Sequence, residues 1–216
     1  MTKPLVTLLC TDPRHPVFPY LERWREAHQQ QYDIQLVNKV AELERFGGIL
    51  FLVSCSELIK AELRARFSHS LVLHASALPE GRGWSPHIWD VVNGKDRITL
   101  SLLNAECKVD TGEIWRQLEI PLAGTELYDE INHLLFEAEL SLISWACEHL
   151  PDSQPMAQSG EGSYHRKRTP EDSRFDPERP LSEQFDLLRV CDPQRFPAFF
   201  EYRGQRYTIR IERDDA

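Results

Sequence analysis

The chain has 216 residues and a formal net charge of −9, with 41% hydrophobic, 27% charged and 10% aromatic residues. That balance excludes a disordered chain. The acidic surplus argues against sequence-independent nucleic-acid binding, which needs clustered Lys and Arg to neutralise phosphates. No apolar run reaches the roughly 18 residues of a membrane span; the longest, GGILFLVSC, has core-strand length. Five cysteines (10, 55, 107, 147 and 191) lie dispersed without a CxxC pair. Such usage predicts reduced thiols, a cytoplasmic setting and no zinc site.

In chain order, LVTLLC (5–10) reads as a first strand rather than part of a signal peptide. FPYLERWREAHQQ (18–30) places Leu21, Trp24 and Ala27 on one helical face. DIQLV (33–37) predicts a strand and VAELERFG (40–47) a short helix closed by glycine. GILFLVS (48–54) is apolar throughout, as a strand buried on both faces must be. SELIKAELRARF (56–67) predicts a helix with Ser56 at its N-cap and Leu58, Leu63 and Phe67 toward the core. SLVLH (70–74) is a further buried strand.

SPHIWDVVNGK then predicts a helix, with Pro86 in its first turn and Gly94 at its stop. RITLSLLNA (97–105) and GEIWRQLEIPL (112–122) read as strands, and residues 125–150 as a long amphipathic helix. This alternation predicts an α/β fold, a Rossmann-like, mostly parallel sheet with helices on both faces. Ligands should then sit at the carboxyl ends of the strands, where Cys10–Thr11, Ser54 and His74 fall. Residues 1–150 form the main domain in this reading. Residues 151–180, rich in Pro, Gly and Ser, predict a linker or long loop. Residues 181–216 predict a small appendage, with a helix at 182–191 and a hairpin at 198–212 turning at Arg-Gly-Gln.

His74 ends a buried strand, and Asp110 lies in a later loop between two strands that can neighbour it. A carboxylate beside an imidazole fixes its tautomer and favours its charged form, a donor for a developing oxyanion. Spacing alone leaves a structural histidine as the alternative.

Taken together, LHASALPEGRGWSPHIWDVVNG and ITLSLLNAECKVDTGEIW resemble the N10-formyltetrahydrofolate-dependent formyltransferase family. That group includes the methionyl-tRNA, glycinamide-ribonucleotide and amino-sugar formyltransferases. Its first motif, a strand ending in Asn-x-His followed by a Ser-Leu-Leu-Pro-like turn and Arg-Gly, matches His74, Ser76, Leu78, Pro79, Arg82 and Gly83. Its second matches Glu106, Asp110 and Gly112. The chain departs from the family at Val72, where the family has the asparagine that helps to hold the formyl oxygen. Asn104, Ser76 or a backbone N–H are the candidate replacements.

The resemblance implies catalysis by His74 and Asp110, with N10-formyltetrahydrofolate as cofactor. It implies cofactor contacts at Ser54, Cys55, Ser56 and Leu58 and at Glu106 and Cys107. The alternative for 54–58, compatible with that role, is a strand end and helix cap. Acceptor contacts fall to Ser76, Arg82, Gly83 and Trp84, and to Tyr164, Arg166 and Arg168 within the basic run YHRKR. That run reads otherwise as a solvated linker.

The tail looks like the region following the catalytic domain in sugar-modifying members. The implied activity is therefore formyl transfer to the primary amine of an amino sugar. A nucleotide-linked 4-amino-4,6-dideoxy sugar, such as a pseudaminic-acid-type surface-glycan precursor, is the expected acceptor. No nucleic-acid, membrane or metal partner is expected, in keeping with a length too short for a tRNA-binding extension; a homodimer is compatible. Two alternatives stay open. One is a formyltetrahydrofolate deformylase, disfavoured without that group's regulatory N-terminal domain. The other is a non-catalytic folate- or nucleotide-binding protein.

Overall fold

A computed structural model describes residues 2–214. Five strands and three helices form most of the first half: β1 (Leu5–Leu9), α1 (Phe18–His28), β2 (Asp33–Val37), β3 (Ile49–Leu52), α2 (Ala61–Arg64), β4 (His69–His74), β5 (Arg82–Gly83) and α3 (Pro86–Val92). After these come β6 (Arg97–Asn104), β7 (Ile114–Pro121), α4 (Tyr128–His149), β8 (Tyr164–His165), α5 (Phe185–Arg189), β9 (Ala198–Tyr202) and β10 (Gln205–Ile209). The central sheet runs in the order β2-β1-β3-β4-β6-β7. Its first four strands are parallel, whereas β6 is antiparallel to both β4 and β7. The β6–β7 reversal needs only a loop, not a crossover helix. That loop carries Asp110.

Strand alternation divides the core. Leu8, Phe51, Leu71 and Leu73 join α1, α3 and α4 on one face, through residues such as Trp24, Val91, Leu135 and Phe136. Leu9, Leu50 and Leu52 face the other way, onto Leu43, Ile59 and Phe67. This second cover is thin, and both helices expected there shrink. Over 40–47 only a single 3₁₀ turn, Val40–Glu42, remains. The Gln35 side-chain oxygen accepts from the backbone N–H of Glu44 and Arg45 at 3.4 and 3.3 Å, satisfying donors that a helix would otherwise bond.

The helix expected over 56–67 survives only as α2. Ser56 does not cap it. Its N–H donates to Thr11 Oγ1 at 2.8 Å, and its hydroxyl lies 3.1 Å from the same oxygen. Lys60, in extended conformation, precedes the helix instead. Residues 54–60 are thereby released as a loop at the end of β3, and Leu58 is exposed.

The region 151–180 lacks long elements but is not a free linker. Met156 and Ile114 exchange two backbone hydrogen bonds of 2.8 Å, and Tyr164–His165 pairs in parallel with Arg82–Gly83. The chain after α4 therefore returns across the carboxyl ends of the strands. The expected helix and hairpin of the appendage are α5 and the β9–β10 pair. Arg189, almost fully buried, ties α5 to the main body through the Glu126 carbonyl at 3.3 Å.

Candidate active site

A cavity of about 630 Å³ crosses the carboxyl ends of β1, β3 and β4. One end is bounded by the loop after β3 and the β6–β7 loop. The other is bounded by the β1–α1 loop, the start of α3, one stripe of α4 and residues 190–196. Residues 83–84, Tyr164 and residues 167–169 form its rim.

His74 and Val72 lie on the same side of β4, because side chains two apart in a strand share a face; both line the cavity. His74 Nε2 is 2.9 Å from the Gly81 carbonyl oxygen. A carbonyl only accepts, so Nε2 carries a hydrogen. That leaves Nδ1 facing Asp110 Oδ1 at 3.5 Å. A lone pair against a carboxylate would repel, so the pair is cohesive only when a proton resides between them. Both residues are buried, and the dyad is built to hold or pass one proton.

Asp110 adopts a left-handed backbone, φ +57°, a region that Asp tolerates better than most residues. Its Oδ2 accepts the Gly83 N–H at 2.9 Å. Its carbonyl accepts from Arg82 Nε at 3.1 Å and Gln158 Nε2 at 2.9 Å. Gln158 also accepts from Arg82 Nη2 at 2.6 Å and donates to the Gly112 carbonyl at 2.8 Å. Two glycines permit this packing. A Cβ on Gly112 would sit 1.9 Å from the Asn104 carbonyl oxygen, and one on Gly83 would sit 2.4 Å from that of His165.

Several residues singled out in the sequence take other places. Arg82 does not line the cavity; it clamps the Asp110 loop, so its role is positioning. Ser76 is fully buried beneath Gly81, its hydroxyl without a partner, and reaches neither a ligand nor an oxyanion. Arg166 is held in a two-pronged pair with Asp172 at 2.7 and 2.5 Å and lies outside the cavity. Lys167 stands at the rim instead, its ammonium 4.6 Å from the Trp84 ring centre. Cys107 is exposed, accepts from Arg64 Nη2 at 3.3 Å and does not line the cavity. Ser54, Cys55, Ser56, Leu58, Glu106, Gly83, Trp84, Tyr164 and Arg168 do line it.

Asn104 lines the cavity too. Its Oδ1 accepts the Trp115 indole N–H at 2.8 Å, which fixes the amide orientation. Among the described residues nothing accepts from its nitrogen, so its N–H donors stay free. In the β4–β6 register, however, Asn104 stands opposite Leu71 and Leu103 opposite Val72, so the Asn104 amide lies on the face away from Val72 and His74 and does not replace the family asparagine.

The far end of the cavity holds polar groups that sequence reasoning passed over. Asn132 and Glu139 sit on the buried stripe of α4, among Leu135 and Phe136. Burial pushes the Glu139 carboxyl up to about 8, so it is mostly protonated near neutrality. Burial likewise holds His15 down at about 4 and His87 at about 3, leaving both rings neutral. Tyr128 donates to Asp192 Oδ2 at 2.9 Å. The signal was available: a polar residue at 132 and another at 139, seven apart, interrupt an otherwise apolar helical face.

A buried His–Asp pair in the wall of a cavity that crosses the carboxyl ends of the strands is equipped for proton-coupled group transfer. Among the described residues no cluster of three His, Cys, Asp or Glu could hold a metal ion, and no helix is long and apolar enough to cross a membrane. A family model described as formyl transferase matches residues 8–146, well over half of the chain. The chain belongs to the formyl transferase family and is a formyltransferase.

Solved structures share the fold. Methionyl-tRNA formyltransferase from Clostridium thermocellum superposes with a TM-score of 0.79 at 20% identity, over 94% of this chain and 90% of that one. A sugar N-formyltransferase from Shewanella sp. FDAARGOS_354 gives 0.69 at 15% identity, over 99% of each. HypX from Aquifex aeolicus, in complex with tetrahydrofolic acid, gives 0.75 at 17% identity; this chain spans 93% of its own length but 36% of that protein.

Proposed function

We propose that this formyltransferase moves a formyl group from N10-formyltetrahydrofolate to the primary amine of a nucleotide-linked amino sugar, with a 4-amino-4,6-dideoxy sugar as the best candidate. The observation that carries the reading is the buried His74–Asp110 pair, 3.5 Å apart in the wall of the cavity. The end-to-end match to a sugar N-formyltransferase supports the acceptor class. The tetrahydrofolate-bound neighbour supports the donor.

The end formed by 54–58 and 104–110 fits a folate head. Leu58 and Val109 offer exposed apolar surface there, and the open loop backbone offers hydrogen-bonding groups. The donor, when bound, supplies an electrophilic formyl carbon. His74, whose Nε2 carries a hydrogen, donates it to the formyl oxygen as negative charge develops, exchanging the Gly81 carbonyl for it. Asp110 then accepts a proton from the attacking amine, and the dyad returns one proton to the departing N10 nitrogen. One C–N bond forms, one breaks, and the products are a formamide and tetrahydrofolate. At the rim Trp84, Tyr164, Lys167 and Arg168 combine aromatic faces with positive charge, the combination a nucleoside diphosphate requires.

Incubation with formyltetrahydrofolate and a panel of nucleotide-linked amino sugars tests the reading. One acceptor should gain the mass of a formyl group. Formate released at the same rate without any acceptor would overturn it in favour of a hydrolase.

A further inference from the structure

The Glu139 Oε2 and His87 Nδ1 atoms are out of reach of water and have no hydrogen-bond partner in the protein. An unpartnered buried polar group costs roughly 1–3 kcal/mol, so native structures rarely keep two in one chamber without use for them. Both belong to the wall of the same end of the cavity, on different elements, α4 and α3. Asn132 lies two helical turns from Glu139 on the same stripe.

The charges are arranged with equal clarity. Lys167 and Arg168 stand at the rim, and Arg195 is paired with Asp12 at 2.8 Å. The groups that face Glu139 and His87 are the Cys10 thiol just after β1, pushed up to about 11, the His15 ring, His74 and, from the rim, Arg168. Inside the cavity Asp12 and Arg195 neutralise each other, so the remaining positive charge lies at the rim.

We infer that Glu139 and His87 form a subsite for the hydroxyl-bearing sugar ring of the acceptor, entered ring first, with the anionic nucleotide left at the Lys167–Arg168 rim. A protonated carboxyl both donates and accepts, and a neutral imidazole does the same through its two nitrogens. Together they match the donors and acceptors of ring hydroxyls. An anionic group placed there would stand against a carboxyl and a neutral ring, whereas at the rim it meets Lys167 and Arg168, which favours the ring-first orientation. The inference rests on the acceptor class proposed above.

Calorimetric titration without folate separates the two. The probes are dTDP and dTDP-4-amino-4,6-dideoxyglucose, applied to the wild type, Glu139→Gln and Glu139→Leu. The wild type should bind the sugar nucleotide more tightly than dTDP. Glu139→Leu should remove about tenfold or more of that difference, with dTDP affinity unchanged. Glu139→Gln, which keeps a donor and an acceptor, should stay within a few-fold of wild type. The wild type should lose sugar affinity as pH rises past about 8, where Glu139 ionises, and Glu139→Gln should not.

Equal affinity of all three proteins for the sugar nucleotide would overturn the subsite while leaving the acceptor class standing. A Glu139→Gln loss as deep as that of Glu139→Leu would show recognition of charge, and would also overturn it. Wild-type binding of dTDP but no gain from the sugar would refute the subsite directly. Binding of neither probe would refute the acceptor class and the subsite with it.

Discussion

The two ends of the cavity are built by opposite means. At the β3 and β6–β7 end, backbone geometry does the work: Ser54 and Asp110 have positive φ, and Arg82 and Gln158 tie the Asp110 loop down through its carbonyl. At the α4 end, a regular helix presents Asn132 and Glu139 from a rigid frame, and Glu139 Oε2 is left unpaired, as is His87 Nδ1 across from it on α3. The first end is suited to holding one reactive geometry. The second is suited to recognising a partner that brings its own hydrogen bonds. In this fold catalysis and selection can therefore change independently.

The sharpest way to break that contrast is to remove the dyad. His74→Asn and Asp110→Asn should each lower kcat by about 10²–10⁴, the usual weight of acid–base catalysis, with donor affinity little changed in fluorescence titration. Unchanged single-turnover rates would refute the roles given to these residues. Next, Val72→Asn, which sets an amide on the His74 face of β4, should raise kcat by about tenfold or more, toward the weight of an oxyanion donor, whereas Asn104→Leu, on the opposite face, should change it little. An unchanged rate in Val72→Asn would show that another donor already serves the formyl oxygen.

Gln158→Ala leaves the dyad chemically complete but frees its loop. A fall of about tenfold in kcat with KM for the donor unchanged is expected, as for a positioning residue, and Gln158→Glu should restore less than half of it. At the rim, Lys167→Ala with Arg168→Ala should raise KM for a phosphorylated acceptor several-fold, whereas Arg166→Ala, outside the cavity, should not. The effect should weaken with added salt.

The smallest effect is on stability against pH. The folded protein holds the Glu139 proton more tightly than the unfolded chain, about 8 against 4.5. Its contribution is thus complete below pH 4.5 and is lost as pH rises toward 8. His15 and His87 act in the opposite sense, from 6.5 down to about 4 and 3, so their contribution is lost as pH falls below 6.5. The windows overlap from pH 4.5 to 6.5, where two histidines outweigh one carboxyl, so melting temperature should peak near pH 6.5. Glu139→Gln should flatten the alkaline side, and a profile that leaves that side unaltered would contradict burial as the cause.

Much of the frame was legible because it rests on periodicity and on local motifs. The fully apolar β3, the long α4 and the strand-end position of His74 follow from patterns within a few residues, whereas the pairing of His74 with Asp110 was legible only through the family resemblance. What escaped depends on contacts distant in sequence. Gln35 caps the backbone at 44–45 and so prevents a helix at 40–47. Thr11, forty-five residues away, takes the Ser56 N–H and undoes the expected cap.

Arg82 and Arg166 looked alike as free cations. Only their partners, Gln158 and Asp172, show that neither enters the cavity. Ser76 reads as a motif serine, yet burial under Gly81 removes it from the chemistry. Glu139 was hidden for the opposite reason, since a glutamate on a long helix is usually solvated, and the apolar face around it was the only clue.

The most direct test of the central claim is a rapid-quench single turnover, with donor prebound and a nucleotide-linked 4-amino sugar added, comparing wild type with Asp110→Asn. Formyl transfer should be complete in the wild type and slowed by at least about a hundredfold in the variant, with equal donor binding in both. Equal transfer rates would mean that the proton between His74 and Asp110 has no part in the reaction.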